Sequence, residues 1–162
     1  MSLPPEAHRL RADHLPTPFS ATQIRDGCPA GRVIRLREES PGELATYRRI
    51  RFVEVDRDGA VQEYQATDAD GAPIGAPTRR RSSWLELQGH ASQPADATSV
   101  EEVDLELTFG RFACWRYVVR RPEGEMRFWF AQVLPGMPVR VEAWVDGALG
   151  ERTVMIDSRM EG

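Results

Sequence analysis

A chain of 162 residues, 41% apolar and 28% charged, can bury about two-thirds of its unfolded surface in one core, so it needs neither disulfides nor a structural metal. Its net charge of −4 and pI near 5.5 exclude long-range attraction to nucleic acid or to an anionic membrane. All 21 basic residues are Arg, and Lys and Asn, which share AT-rich codons, are both absent; this reads as codon bias rather than as an anion site.

Residues 1 to 31 are expected to form a helical or irregular flank, with a short polar helix over Pro4 to His14. Met1 to Leu15 lacks a cationic segment followed by a long apolar run, and no stretch is long enough to span a bilayer, so the chain is expected to be cytoplasmic without membrane insertion. Ser20-Ala21-Thr22-Gln23 matches a capping box and opens a turn that Asp26-Gly27 closes. Arg32 to Glu38, Leu44 to Asp56 and Ala60 to Asp68 then read as strands rich in Val, Ile, Tyr and Phe. The short turns at Pro41-Gly42 and Asp58-Gly59 make these strands antiparallel neighbours.

Asp70 to Pro77 is a Gly- and Pro-punctuated loop, and Thr78 to Ser82 a short strand. A second capping box, Ser83-Trp84-Leu85-Glu86, starts a helix predicted over 84 to 91 and halted by Pro94. Beyond it, Val103, Leu105 and Leu107 alternate with Glu102, Asp104 and Glu106, the period of a half-buried strand. Strands over Arg111 to Arg120, Met126 to Ala131, Val139 to Val145 and Glu151 to Asp157 follow at Gly- or Pro-marked turns. Val139, Val141, Ala143 and Val145 fall on one face, and Arg140, Glu142 and Trp144 on the other.

Eight or nine strands in two meanders predict a mainly β chain: one domain over 1 to 162 built on a strongly curved antiparallel sheet or open, incomplete β-barrel, with one or two short covering helices. A two-sheet sandwich is the alternative. The turn at 108 to 110 is expected to place Glu102 opposite Arg116.

No motif for catalysis, metal or a cofactor emerges. Cys28 and Cys114 have no metal-ligand spacing and are expected to be free, Cys114 as a small buried apolar residue. His8, His14 and His90 are expected on the surface, the first two in a mobile segment and His90 at a helix end. Ser82, Ser83 and Ser92 lack a nucleophile elbow, and Asp56 to Gly59 is a hairpin turn rather than a calcium loop. Arg48, Arg49, Arg51 and Arg79 to Arg81 are expected on a solvated face paired with Glu43, Glu54, Glu63 and Asp68. The aromatic residues concentrate in the second meander, where the structural expectation is core packing and the functional one is a cavity. On the second expectation, Trp115, Phe128 and Phe130 line the concave side of an unclosed barrel.

The runs Gly110-Arg111-Phe112-Ala113-Cys114-Trp115-Arg116-Tyr117-Val118-Val119, Phe128-Trp129-Phe130-Ala131 and Pro138-Val139-Arg140-Val141-Glu142 resemble the strand signature of bacterial β proteins related to the lipoprotein-sorting (LolA/LolB-like) carriers. The resemblance implies an open barrel covered by helices, an interior able to hold acyl chains, and Phe112, Phe128 and Phe130 as lining residues. The chain departs from that group in lacking a secretory signal and a cysteine at a lipid-anchor position, so fold is expected to carry over before function. The leading expectation is a non-enzymatic domain, without cofactor or metal, binding an apolar or amphipathic small molecule in its concavity. The alternatives are an interaction module that forms a homodimer and a hydrolase or isomerase with a barrel-mouth acid such as Glu142 or Asp157.

Overall fold

A computed structural model describes residues 2–161. Nine strands form one antiparallel sheet: β1 (Arg32–Glu39), β2 (Thr46–Val55), β3 (Gly59–Thr67), β4 (Thr78–Ser83), β5 (Thr98–Leu107), β6 (Gly110–Arg121), β7 (Gly124–Ala131), β8 (Arg140–Val145) and β9 (Ala148–Met160). Their spatial order is β4-β3-β2-β1-β9-β8-β7-β6-β5, so the two meanders are joined through a central pairing of the first strand with the last. β4 and β5 are the sheet's two unpaired ends, which leaves the barrel open.

The sheet bends because three strand pairs shift register, between Arg35 and Leu36 in β1 against β9, Phe52 and Glu54 in β2 against β3, and Ala143 and Trp144 in β8 against β9. The bend is deep: Thr108, at the β5–β6 turn, donates to the carbonyl of Ile156 on β9 at 3.2 Å although β7 and β8 lie between those strands.

Two helices, α1 (Ala21–Gly27) and α2 (Trp84–Gly89), pack on the concave face, and both begin in the expected capping boxes. The Ser20 hydroxyl accepts from the Gln23 amide at 3.1 Å and Ser83 from Glu86 at 3.0 Å, each satisfying a helix-end donor. α2 ends two residues short of its expected limit, at Gly89, with His90 as its C-cap. Gln88 ties the helices together: its Oε1 accepts from the Ala21 amide at 2.9 Å and its Nε2 donates to Thr17 Oγ1 at 3.1 Å. Trp84 Nε1 donates to the Asp56 carbonyl at 2.9 Å and seats α2 on the β2–β3 turn. That turn is the hairpin expected from sequence, with Asp56 Oδ1 accepting from the Asp58 and Gly59 amides.

The N-terminal segment departs from expectation. Pro4 to His14 forms only a single 3-10 turn, Glu6–His8, because tertiary hydrogen bonds hold the segment extended across β6. Trp115 Nε1 donates to the Ser2 carbonyl at 3.0 Å and Tyr117 Oη to the Pro16 carbonyl at 2.6 Å. The histidines follow: His8 is buried, with Nδ1 3.0 Å from the Thr17 carbonyl, and His14 is half-buried against Ser92 Oγ at 2.8 Å, so neither is the mobile surface residue that was expected.

The β5–β6 register also corrects the sequence reading. The turn is Thr108-Phe109 alone, with Leu107 opposite Gly110, so Glu101 faces Arg116 and forms the ion pair, while Glu102 faces Trp115. A turn one residue shorter moves every cross-strand partner by one position.

Beneath the helices the core gathers Ile34 and Leu36 of β1, Ile50 and Phe52 of β2, and Tyr117 and Met155, all nearly inaccessible. Cys28 and Cys114 are both free and buried. Four of the six clustered arginines are paired, though with different acids than expected apart from Glu63: Arg48 with Glu38, Arg51 with Glu63 and Glu161, Arg79 with Glu63, and Arg81 with Asp56.

An apolar cavity on the concave face

β7 presents Phe128 and Phe130 toward the helices, their rings stacked with centroids 6.5 Å apart. Opposite them Leu87 and Ala91 descend from α2 and its extension, and Ile24 and Cys28 close the side from α1. Between these surfaces lies a cavity of about 200 Å³ that also reaches Phe52 of β2 and Gln62 of β3. Its lining is mostly hydrocarbon because alternate positions of β7 share a face, which sends Phe128 and Phe130 together to the helix side.

The loop between β7 and β8 supplies the rim through Gly136, Met137 and Pro138. Buried Arg32 pins that loop, donating from Nη1 to the carbonyls of Pro135 at 2.8 Å and Gly27 at 3.0 Å. Gly136 adopts φ 132°, and a Cβ there would stand 3.2 Å from Cys28 Sγ, so the loop's path requires glycine.

Three polar groups border the cavity. Gln62 is only 8% exposed; its Oε1 accepts from the Tyr64 hydroxyl at 3.0 Å, and its Nε2 has no hydrogen-bond partner among the described residues. His90 is exposed at the end of α2. Cys28 Sγ lies 3.1 Å from Arg32 Nη1, yet burial raises its thiol above the ordinary pKa by more than the nearby guanidinium lowers it, which disfavours a nucleophilic thiolate.

The four lining residues expected from sequence separate. Phe128 and Phe130 border the cavity. Trp115 belongs to the packed core beside it, 6.0 Å from the ring of Phe19, under the N-terminal segment. Phe112 leaves β6 on the opposite face from Trp115 and Tyr117 and packs on Phe109 at 5.2 Å, because odd and even positions of an unbulged strand point apart. Sequence reasoning missed Gln62, His90 and Met137; the available signal for Gln62 was a polar residue in step with Ala60 on the inner face of β3.

Neither acid weighed for chemistry lies in the cavity. Glu142 is buried on the convex face: burial would raise its carboxyl, but hydrogen bonds from Arg140, Trp144 and Arg152 outweigh that and hold it below the ordinary value. Asp157 pairs with Arg159. Among the described residues no group of three or more His, Cys, Asp or Glu is placed to hold a metal ion, and no helix is long and apolar enough to cross a membrane.

No family model and no curated protein matches the chain. Solved structures do. MucB in complex with MucA(peri) superposes with a TM-score of 0.59 at 11% identity, over 86% of this chain and 54% of that one. MucB alone gives 0.55 at 11% identity over 87% and 57%. The fold is shared with MucB. This chain spans little more than half the length of MucB, so the likeness covers one part of that protein. A LolA superfamily protein from Nitrosomonas europaea is also a structural match, at 9% identity over 89% of this chain and 94% of that one, but its TM-score of 0.26 carries no argument.

Proposed function

We propose that the domain is a non-enzymatic binding module that takes an apolar or amphipathic small molecule into the cavity between β7 and α2. The observation that carries this reading is the apolar space of about 200 Å³ bounded by Phe128, Phe130, Leu87 and Ala91. Each methylene moved there from water contributes about 0.8 kcal/mol, so a short alkyl chain suffices for measurable binding. Native mass spectrometry of the protein purified from its own host tests it: a co-purifying small molecule, released on unfolding, is expected. A ligand-free protein that also fails to take up a medium-chain alcohol would defeat the reading.

A second reading is an interaction module, supported by the solved complex of MucB with MucA(peri) and by the two open sheet edges. Arg79, Arg80 and Arg81 are exposed on β4, while Glu101, Glu102, Asp104 and Glu106 are exposed on β5. Like edges repel, which opposes a twofold dimer through β4–β4 or β5–β5, whereas unlike edges attract head to tail. Light scattering at low and high salt separates the cases: salt-weakened self-association favours edge pairing, and a monomer at all salt concentrations removes it.

A further inference from the structure

The cavity's polar groups define what its ligand carries at the end that is not hydrocarbon. Gln62 borders an apolar space with nine-tenths of its residue buried, and its Nε2 has no hydrogen-bond partner among the described residues. An occupant bearing an oxygen acceptor supplies that partner. Directly across the β3–β4 ladder, Arg80 is the partner of Gln62, so its side chain leaves the sheet on the same concave side. Arg80 is exposed and makes no ion pair among the described residues, unlike Arg79 and Arg81, which lie on the other face and pair with Glu63 and Asp56. His90, at the end of α2, adds ring nitrogens to the same border. Gln62 and His90 thus border a hydrocarbon pocket whose lining contains no carboxylate, and the exposed Arg80 stands beside Gln62 on the neighbouring strand.

Size sets the other limit. A dry cavity of about 150 Å³ takes one benzene ring, so about 200 Å³ matches an alkyl chain of roughly six to eight carbons.

Resting on the binding reading above, we infer that this site takes a single medium-chain amphiphile with an anionic oxygen head, the chain lying between Phe128 and Leu87 and the head meeting Gln62 Nε2 and Arg80. Carboxylate and phosphate monoester share the required chemistry. Charge assistance from Arg80 strengthens the head contact, while the buried amide sets its position.

Calorimetric titration of the whole chain with octanoate, octyl phosphate, octan-1-ol and hexadecanoate tests it. One-to-one binding is expected, with octanoate or octyl phosphate about tenfold tighter than octan-1-ol. The tighter of the two anions names the head. The anion preference should vanish in Arg80→Ala and survive in Arg79→Ala on the opposite face, which should also leave octan-1-ol affinity unchanged, whereas Gln62→Leu should weaken binding of every oxygen-headed probe. Arg80 is exposed on an edge strand, so its variant keeps the test valid if Gln62→Leu fails to fold. Equal affinity for octanol and the anions, or a preference indifferent to Arg80→Ala, would overturn the head-group assignment and leave the binding reading intact. Hexadecanoate binding far tighter than octanoate would overturn the size limit. Absence of binding by every probe would sink both readings together.

Discussion

Glu142 of β8 stands directly opposite Arg152 of β9 on the convex face, and Arg152 Nε donates to its carboxylate at 2.9 Å. Arg140 Nε donates to the same oxygen at 2.8 Å and Trp144 Nε1 to the other at 3.0 Å, so a carboxylate that is 2% exposed is surrounded by donors. Arg140 in turn lies 4.8 Å from the ring centroid of Trp129, and Arg127 lies 4.4 Å from that of Trp144. Removing the acid leaves two guanidinium groups facing each other without their shared counter-ion. Glu142→Gln is therefore expected to cost about 2–4 kcal/mol in urea unfolding. A loss below about 0.5 kcal/mol would show that water replaces the carboxylate without penalty.

The same group gives a pH dependence of definite sign. Its carboxyl titrates below the ordinary 4.5 in the folded protein, so the unfolded chain binds the proton more tightly. The stability it contributes is fully present above about pH 4.5 and is lost as pH falls through the lower folded value. Unfolding free energy measured from pH 7 to 3 should fall on the acid side, and Glu142→Gln should flatten that fall. Parallel profiles for the two proteins would contradict the assignment.

Filling the cavity should separate binding from folding. Ala91 borders the space and is half-buried, so Ala91→Phe places a ring where an apolar ligand would sit. Affinity for octan-1-ol should drop at least about tenfold while the melting temperature changes little. Retained affinity would mean that the probe binds elsewhere.

Gly124 opens β7 where it pairs with Val145, and a Cβ there would stand 1.8 Å from the Trp144 carbonyl oxygen. Backbone on the partner strand cannot retreat as a flexible side chain does. Gly124→Ala should cost about 2–3 kcal/mol in denaturant unfolding, and a neutral result would show that the β7–β8 hairpin can reseat itself.

Both thiols should be silent in the native state. Cys114 is inaccessible, and burial, with a smaller contribution from Asp104, pushes its pKa up to about 11; burial raises Cys28 as well. Labelling at pH 8 with a thiol reagent is expected only as fast as the protein opens, and a reductant should leave the melting temperature unchanged. Rapid labelling of one thiol in the folded protein would contradict its burial.

Strand positions, turn residues and both capping boxes were legible in the sequence because each depends on a few neighbouring residues. Val103, Leu105 and Leu107 alternate with acids wherever β5 lies, and Ser20 and Ser83 cap helices through contacts three residues away. The candidate site was legible only in part. Phe128 and Phe130 were identifiable as inner-face aromatics of one strand, but grouping Phe112 with Trp115 ignored the alternation that sends them to opposite faces. His8 was misplaced because its burial depends on Thr17 and Gln88, and the latter lies 80 residues away.

The amino-acid order by itself therefore determined an antiparallel β chain with two capped helices, since period-two patterning and capping are local. Tertiary structure alone decided that β1 closes on β9, that the bulged sheet curls beneath α1 and α2, and that Gln62, Phe128 and His90 border one apolar space. Those three residues belong to β3, β7 and the end of α2, and only the curvature of the sheet brings such separate elements around a common cavity.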